Sequence, residues 1–252
     1  MSAIDKANVV DAHALFGSGK TWADPNEQDV DYKLDELFAR GEEAGIERYC
    51  ILPARNDDYK EINRQLAAAC EKRADRLIGF AAHSPQREAG RLAAMLREEV
   101  KSMGLRAVRS DGHPTRELMD TAAELRIPVM YYPKVTAGQT ISRWVHTLAG
   151  TYPNVPIIIP HLGQYHSWAW WGHVETVDAA KRYRNLYLDT SAIGSLKYLE
   201  LAAHDLPPEK LIFGTCGPEL DPRVGMEAVR LLKLPPPARS KVMGRNILKL
   251  LG

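Results

Sequence analysis

Eight short apolar segments alternate with eight amphipathic ones along the chain, and no linker or low-complexity tract interrupts them. Each apolar segment is bounded by turn residues, as in strands buried within a parallel sheet. Eight consecutive strand–helix units predict an α/β fold, namely a distorted (β/α)8 barrel of the TIM type. The predicted strands are Asn8–Ala12, Arg48–Leu52, Leu77–Ala81, Gly104–Arg109, Ile127–Tyr131, Val155–Ile159, Asn185–Asp189 and Leu211–Pro218.

The helical spacing of apolar residues between the strands predicts the positions of the helices. Gly45 is predicted to end the first helix. A doubly wound open sheet is less favoured, because the first strand is followed by Gly17-Ser-Gly19 and not by Gly-x-Gly-x-x-Gly. We expect residues 1–252 to form one domain with an extra helix at the carboxyl end. The predicted helices are 30–44, 58–72, one ending near 102, 116–125, 141–150, 173–183, 196–204, 223–232 and 239–251.

The balance of charge and the cysteine content exclude several classes of protein. Lys and Arg number 33 against 32 Asp and Glu, so we expect neither a nucleic-acid partner nor attraction to an acidic membrane. The sequence contains no apolar run near the ~18 residues of a membrane span, and its first residues lack the pattern of a secretion signal. Three widely spaced cysteines make no disulfide framework, which favours a cytoplasmic location.

Polar or reactive side chains stand at the carboxyl end of every predicted strand. In (β/α)8 barrels these ends meet at one mouth, where the catalytic groups lie. A single residue of this kind is more often structural, but a full set converging on the mouth favours a catalytic or binding site. The residues are His13, Arg55, His83, Arg109, Tyr132 with Lys134, His161, Asp189 and Cys216.

Several of these residues lie in motifs that resemble the amidohydrolase-related branch of the amidohydrolase superfamily. The motifs are Asp11-Ala-His13, Pro160-His-Leu-Gly163, Asn185-Leu-Tyr-Leu-Asp-Thr-Ser191, Leu211-Ile-Phe-Gly-Thr215 and Gly244-Arg-Asn-Ile-Leu-Lys-Leu-Leu251. That branch includes barrels such as aminocarboxymuconate semialdehyde decarboxylase and pyrone dicarboxylate lactonase. The resemblance spans nearly the whole chain, and it implies a hydrolase or decarboxylase acting on a small anionic, carboxylate-bearing substrate.

The chain departs from the family's metal-binding pattern at three positions. The family's first strand ends in His-x-His, and Leu15 occupies the second of these positions. The fifth-strand histidine corresponds to Tyr131 or Tyr132, and the eighth-strand aspartate corresponds to Cys216. Because Leu has no lone pair and a phenol of pKa near ~10 is a poor ligand, the metal site is expected to be altered or absent.

Three readings of the barrel mouth follow. The first is a rebuilt zinc site, in which His13, His161 and Cys216 bind the ion and leave the fourth position to water. In the second no metal is bound: His161 or His13 acts as general base or acid, Cys216 acts as nucleophile or polar wall, and Tyr132 donates to an oxyanion.

Further residues have supporting roles in both catalytic readings. Basic groups would bind the substrate carboxylate by charge-assisted hydrogen bonds, and Asp11 and Asp189 would orient the imidazoles. The candidate substrate-binding residues are Arg55, Arg109, Lys134 and His83.

The third reading is a non-catalytic relative that kept the barrel as a binding or scaffold protein. Loss of three ligand positions at once is compatible with it. The aromatic run Trp168-Ala-Trp-Trp171 would then form a ligand lid or a homo-oligomer contact, since exposed aromatic residues mark interfaces. An enzyme is favoured over a scaffold, because acid–base and basic groups are both expected at the mouth.

Overall fold

A computed structural model describes residues 9–21, 28–133, 142–163 and 171–252. Its sheet has nine strands in the order β2-β1-β3-β4-β5-β6-β7-β8-β9. All neighbours pair in parallel except β1 and β2, which pair antiparallel. The strands are β1 (Val10–Lys20), β2 (Asp29–Tyr32), β3 (Arg48–Pro53), β4 (Leu77–His83), β5 (Ala107–Ser110), β6 (Val129–Tyr131), β7 (Ile157–Ile159), β8 (Leu186–Asp189) and β9 (Leu211–Ile212).

Backbone hydrogen bonds close this sheet into the predicted (β/α)8 barrel. The Ala12 amide donates to the Phe213 carbonyl at 2.9 Å, and the Cys216 amide donates to the His13 carbonyl at 2.7 Å. The first and last strands therefore lie side by side. The helices are α1 (Leu34–Ala44), α2 (Tyr59–Lys72), α3 (Leu92–Lys101), α4 (Arg116–Leu125), α5 (Ser142–Thr151), α6 (Trp171–Arg182), α7 (Leu196–Asp205), α8 (Pro222–Leu231), α9 (Pro236–Ser240) and α10 (Asn246–Leu251).

The amino-terminal part of the barrel differs from the sequence expectation. β1 continues through the segment predicted as a Gly-rich loop and pairs with β2, so that Gly17 lies opposite Tyr32. The predicted start of the first helix at Val30 is wrong, because that residue lies in β2 and the helix begins at Leu34. The predicted end is confirmed, since Gly45 caps the helix in the left-handed conformation with φ 79°.

Side chains alternate between the two faces of each strand. One apolar core therefore lies inside the barrel, and another lies between the strands and the surrounding helices. In β4 the side chain of Phe80 packs inside the barrel, whereas that of Ala81 packs outward against the helices. Full burial of a large apolar side chain stabilises the fold by roughly 1.5–3 kcal/mol, so each strand has a strongly preferred register. The same alternation determines which strand-end residues reach the mouth.

The extra carboxyl-terminal helix closes the lower end of the barrel. Ile247 and Leu251 of α10 join the inner core together with Val10, Cys50 and Ile78 at the amino ends of the strands. Burial of Cys50 at this position agrees with its prediction as a small core residue. All three cysteines are free, as expected. None of the helices in the described ranges is long and apolar enough to cross a membrane.

Candidate active site

A β-bulge in β1 places His13 at the barrel mouth. The pairing with β3 shifts between Asp11 and Ala14, so one extra residue is accommodated there and the strand is re-aimed. His13 is 5% exposed as a residue, and its Nδ1 lies 2.8 Å from Oδ2 of Asp189 at the end of β8. Because a carboxylate only accepts hydrogen bonds, Nδ1 of His13 carries a proton.

His161 reaches the same place from the end of β7. Its backbone is left-handed, with φ 58°, an uncommon conformation for a side chain of this size that clusters at functional sites. Its amide donates to Oδ1 of Asp189 at 3.0 Å, which fixes the turn. Its ring lies 5.1 Å from that of His13, centroid to centroid, in a stacked arrangement.

Ser191 connects the two imidazoles, and sequence reasoning did not select it as a site residue. Its Oγ lies 3.1 Å from Nδ1 of His13 and 2.9 Å from Nδ1 of His161. The hydroxyl donates to Oδ1 of Asp189 at 2.5 Å, and the side chain is fully buried. The only sequence signal was its position two residues after the strand-end aspartate, at which an Asx-type turn returns the hydroxyl to that carboxylate.

Cys216 completes the cluster from the chain that follows β9. Its backbone is also left-handed, with φ 62°, and its amide is bonded to the His13 carbonyl. Gly214 allows this approach, since a Cβ there would lie 2.9 Å from Cβ of His13. The thiol and one ring nitrogen from each of His13 and His161 lie within 4.8 Å of one another.

Burial and mutual contacts separate the pKa values of these groups. Burial lowers the pKa of His161 to about 4, and the neighbouring His13 adds to this effect. Burial also disfavours the charged form of His13, but Cys216 and Asp189 outweigh it and raise the His13 pKa well above its ordinary value. Burial would raise the pKa of Asp189, but the contacts with His13 and Ser191 bring it down to about 2. Burial raises the pKa of the Cys216 thiol.

His161 is therefore neutral at physiological pH, and Asp189 is ionised. His13 and Cys216 are coupled, since each stabilises the charged form of the other. In the metal-free protein their protons are therefore lost in steps that belong to the pair and not to either residue alone. The arrangement supplies one neutral imidazole, one proton-bearing imidazole and one thiol to the same small space.

Asp11 acts on the backbone and not on an imidazole, which corrects the expectation for this residue. Its carboxylate is fully buried and accepts from the His13 amide at 2.9 Å and from the Thr215 amide at 3.0 Å. Burial raises its pKa to about 6, although the bonds from Thr215 and His13 lower it. Asp11 thus holds β1 against the chain that carries Cys216.

Arg109 and Tyr132 also face the mouth. Arg109 is 5% exposed, donates to the Pro53 carbonyl at 2.6 Å, and lies close enough to Cys216 for their charges to interact. Burial lowers its pKa, while Tyr59, Asp111 and Cys216 favour its charged form. The ring of Tyr132 meets that of His161 edge to face, with a centroid separation of 5.5 Å.

Other predicted residues are not brought to this cluster. His83 points outward from β4, and its two ring nitrogens are bonded to Glu88 at 2.8 Å and Glu99 at 2.7 Å. The alternation of β4 explains this, because His83 follows the inward residue Ala82. The backbone of Arg55 forms a bridge with Lys20, which is the last residue of β1 and pairs with β2. Lys134 and the aromatic residues from Tyr165 to Trp170 lie outside the described residues.

The donor set fits a metal ion by its chemistry. Two imidazoles and a thiol are ligands that zinc prefers, and ligand atoms on one zinc lie roughly 3.3–3.8 Å apart. Because the present separations are all within 4.8 Å, a contraction of at most about 1 Å by small side-chain rotations brings the three ligand atoms into this range. Nδ1 of each imidazole faces Asp189 or Ser191, so Nε2 is the nitrogen that would bind a metal ion.

Leu15 accounts for the loss of a further ligand. Its side chain is 2% exposed and packs with Tyr32, Ala54, Tyr59 and Ala82 at the side of the mouth. The family that this sequence resembles has its second first-strand histidine at this position. Here Leu15 forms part of an apolar wall instead. Chemically, the mouth can bind a metal ion, bind an anion through Arg109, and accept or donate protons at imidazole nitrogens.

Comparisons with known proteins agree with this barrel fold. The family described as amidohydrolase matches residues 10–252. The fold is similar to 2,6-dihydroxybenzoate decarboxylase from Rhizobium, with TM-score 0.73 and 17% identity over 97% of this chain and 98% of that one. It is also similar to 5-carboxyvanillate decarboxylase from Sphingomonas paucimobilis, with TM-score 0.70 and 14% identity over 97% of this chain and 99% of that one.

A dihydroxybenzoic acid decarboxylase from Polaromonas, solved with bound manganese and the inhibitor 2-nitroresorcinol, has TM-score 0.72 and 16% identity over 97% of this chain and 96% of that one. No curated protein matches the chain significantly. The structural similarities establish the fold, and the family match extends over almost the entire sequence. The chain therefore belongs to the amidohydrolase family.

Proposed function

We propose that this protein is a metal-dependent enzyme, a decarboxylase or hydrolase, that acts on a small carboxylate-bearing molecule at the barrel mouth. The observation that carries the proposal is the convergence of His13, His161 and Cys216, all buried, within 4.8 Å of one another. The buried cation Arg109 lies close enough for its charge to interact with that of Cys216. Three of its structural neighbours are decarboxylases of aromatic carboxylates, which supports an aromatic acid as the substrate class.

Zinc is the proposed metal, held by His13, His161 and Cys216. The manganese in the Polaromonas structure belongs to that protein, and a thiolate in the present set favours a softer ion. A zinc ion with this ligand set polarises a carbonyl or carboxyl oxygen and lowers the pKa of water to ~7. Binding would require loss of the thiol proton, and the charge of the zinc ion would then compensate the buried thiolate of Cys216.

Arg109 is the proposed binding group for the substrate carboxylate. Its guanidinium is buried within the range at which its charge interacts with Cys216, and a charge-assisted hydrogen bond to a carboxylate is worth roughly 1.5–3 kcal/mol in such a site. The Pro53 carbonyl and the Tyr59–Asp111 pair fix its position. Leu15 and Tyr59 line the same side with apolar surface, which excludes water and suits an aromatic ring.

The His13 imidazole and the Tyr132 hydroxyl hold or donate protons at the site. The proton on Nδ1 of His13 stays on that atom, because the N–H group donates a hydrogen bond to Oδ2 of the ionised Asp189. The Tyr132 hydroxyl, on the ring that contacts His161, donates to negative charge that develops on a substrate oxygen. These groups position and stabilise the reacting acid in both decarboxylation and hydrolysis.

Metal analysis and turnover of the untagged full-length protein test the proposal. We expect one zinc per chain by mass spectrometry and loss of carbon dioxide or hydrolysis from at least one member of a panel of hydroxybenzoates, lactones and esters. Cys216→Ser should lose zinc and activity, while Cys70→Ser, on α2, serves as the matched control. Undiminished turnover by metal-free protein would contradict the metal role, and tight binding of carboxylates without turnover of any compound would favour a scaffold.

A further inference from the structure

The hydroxyl of Ser191 is the one side-chain group that contacts both imidazoles in the described part of the mouth. Its Oγ lies 3.1 Å from Nδ1 of His13 and 2.9 Å from Nδ1 of His161. A hydroxyl has one proton to donate and two lone pairs that accept. Here the proton goes to Oδ1 of Asp189, at 2.5 Å.

Assignment of the remaining protons follows from the acceptors. Nδ1 of His13 also faces the Asp189 carboxylate, and Nδ1 of His161 also faces the Ser191 carbonyl at 3.1 Å. A lone pair on either nitrogen would oppose these acceptors, so both Nδ1 atoms carry hydrogen. The two lone pairs of Ser191 Oγ then accept from the two N–H groups, so the hydroxyl and both Nδ1 atoms have hydrogen-bond partners.

We infer that Ser191 is a positioning residue that sets the tautomer and the mutual spacing of both zinc-binding imidazoles. This inference rests on the proposed function, since it assigns Nε2 of His13 and His161 to the metal. Without the hydroxyl, Nδ1 of His13 still faces the ionised Asp189 carboxylate at 2.8 Å, whereas Nδ1 of His161 faces the neutral and more distant Ser191 carbonyl at 3.1 Å. His161 therefore depends on this hydroxyl more strongly than His13 does.

Backbone contacts hold the hydroxyl in place. The Ser191 amide donates to Oδ1 of Asp189 at 2.9 Å, and the residue is fully inaccessible to solvent. The neighbouring Thr190 offers a matched control, because its buried Oγ1 accepts from the Gly214 amide at 3.3 Å and makes no contact with either imidazole. Residues that orient metal-bound histidines typically change metal affinity by 10–100-fold when they are altered.

Zinc affinity and histidine nitrogen NMR test the inference on full-length Ser191→Ala, Ser191→Thr and Thr190→Ala proteins. Ser191→Ala should weaken zinc binding, measured by chelator competition, about 10–100-fold. In the metal-free protein the nitrogen shifts of His161 should move toward a mixture of tautomers, with a smaller change at His13. Ser191→Thr, which keeps the hydroxyl, should restore both readouts, and Thr190→Ala should resemble the wild type.

Each failure has a separate meaning. Wild-type zinc affinity and an unchanged His161 tautomer in Ser191→Ala would overturn the positioning role. An equal loss of affinity in Thr190→Ala would also overturn it, because the effect would then reflect general packing. Absence of zinc binding in the wild type, with the tautomers as assigned in the metal-free protein, would contradict the proposed function while leaving the hydrogen-bond assignment intact.

Discussion

The Nδ1 atom of His13 lies 2.8 Å from Oδ2 of Asp189, although the two residues are 176 positions apart in the sequence. The contact joins the first and the penultimate strands across the barrel mouth. Asp189 also accepts three hydrogen bonds on Oδ1, from the His161 amide and from the amide and hydroxyl of Ser191. One ionised carboxylate thus orients both histidines, and several predictions depend on its charge.

Replacement of Asp189 by Asn should weaken both the fold and the metal site. The amide has one acceptor oxygen where the carboxylate has two, so either the His13 ring or the donors of His161 and Ser191 lose their acceptor. Breaking a buried charged pair costs roughly 3–5 kcal/mol, and a lost orienting contact costs about 10–100-fold in zinc affinity. Urea unfolding of the metal-free protein and chelator competition measure the two effects. Asp178→Asn, at an exposed ion pair on α6, should change neither.

Replacement of Cys216 by Asp should change which metal the site prefers. A carboxylate is a harder ligand than a thiolate, so the variant should shift from zinc toward manganese. Dialysis of the apo-proteins against equal concentrations of both ions, followed by metal analysis, gives the ratio directly. Zinc selectivity equal to that of the wild type would show that the thiol does not bind the ion.

Replacement of Arg109 by Met should impair carboxylate binding more than protein stability. Loss of a charge-assisted hydrogen bond worth roughly 1.5–3 kcal/mol makes the dissociation constant about 10–150-fold larger. Calorimetric titration of the zinc-loaded protein with benzoate measures the change. Arg64→Met, on the exposed side of α2, is the control and should bind benzoate as the wild type does. Unchanged affinity in Arg109→Met would place the carboxylate elsewhere.

His83 makes protein stability depend on alkaline pH. Burial disfavours its charged form, but the hydrogen bonds to Glu88 and Glu99 raise its pKa from 6.5 to about 9. Its contribution is therefore fully present below pH 6.5 and is lost as the pH rises through about 9, a decrease of about 3 kcal/mol. Urea unfolding of the metal-free protein between pH 6 and 10 should show this decrease. His83→Gln should remove it, whereas His204→Gln at an exposed pair should not.

The barrel was predictable because its signal is repeated eight times. Each strand needs only an apolar run and each helix only a 3.6-residue period, so local errors do not change the result. β2 was missed because it has only four residues and a mixed burial pattern, too short an alternation to mark a strand directly before a helix. The extension of β1 through Gly17 was missed because glycine usually marks a turn.

The site was only partly predictable, for geometric reasons. His13, His161 and Cys216 were selected by their place at strand ends, and these ends do meet. Strand-end position does not reveal which face a side chain takes, and a single step of alternation sends His83 outward. Ser191 was overlooked because its role comes from hydrogen bonds to residues 178 and 30 positions away, which no local pattern shows.

Anomalous scattering at the zinc edge, from crystals of the untagged protein, tests the metal site most directly. We predict one strong peak per chain, bounded by Nε2 of His13, Nε2 of His161 and Sγ of Cys216. A protein with stoichiometric zinc whose peak lies away from these three atoms, or crystals grown in zinc with no peak among them, would contradict the account.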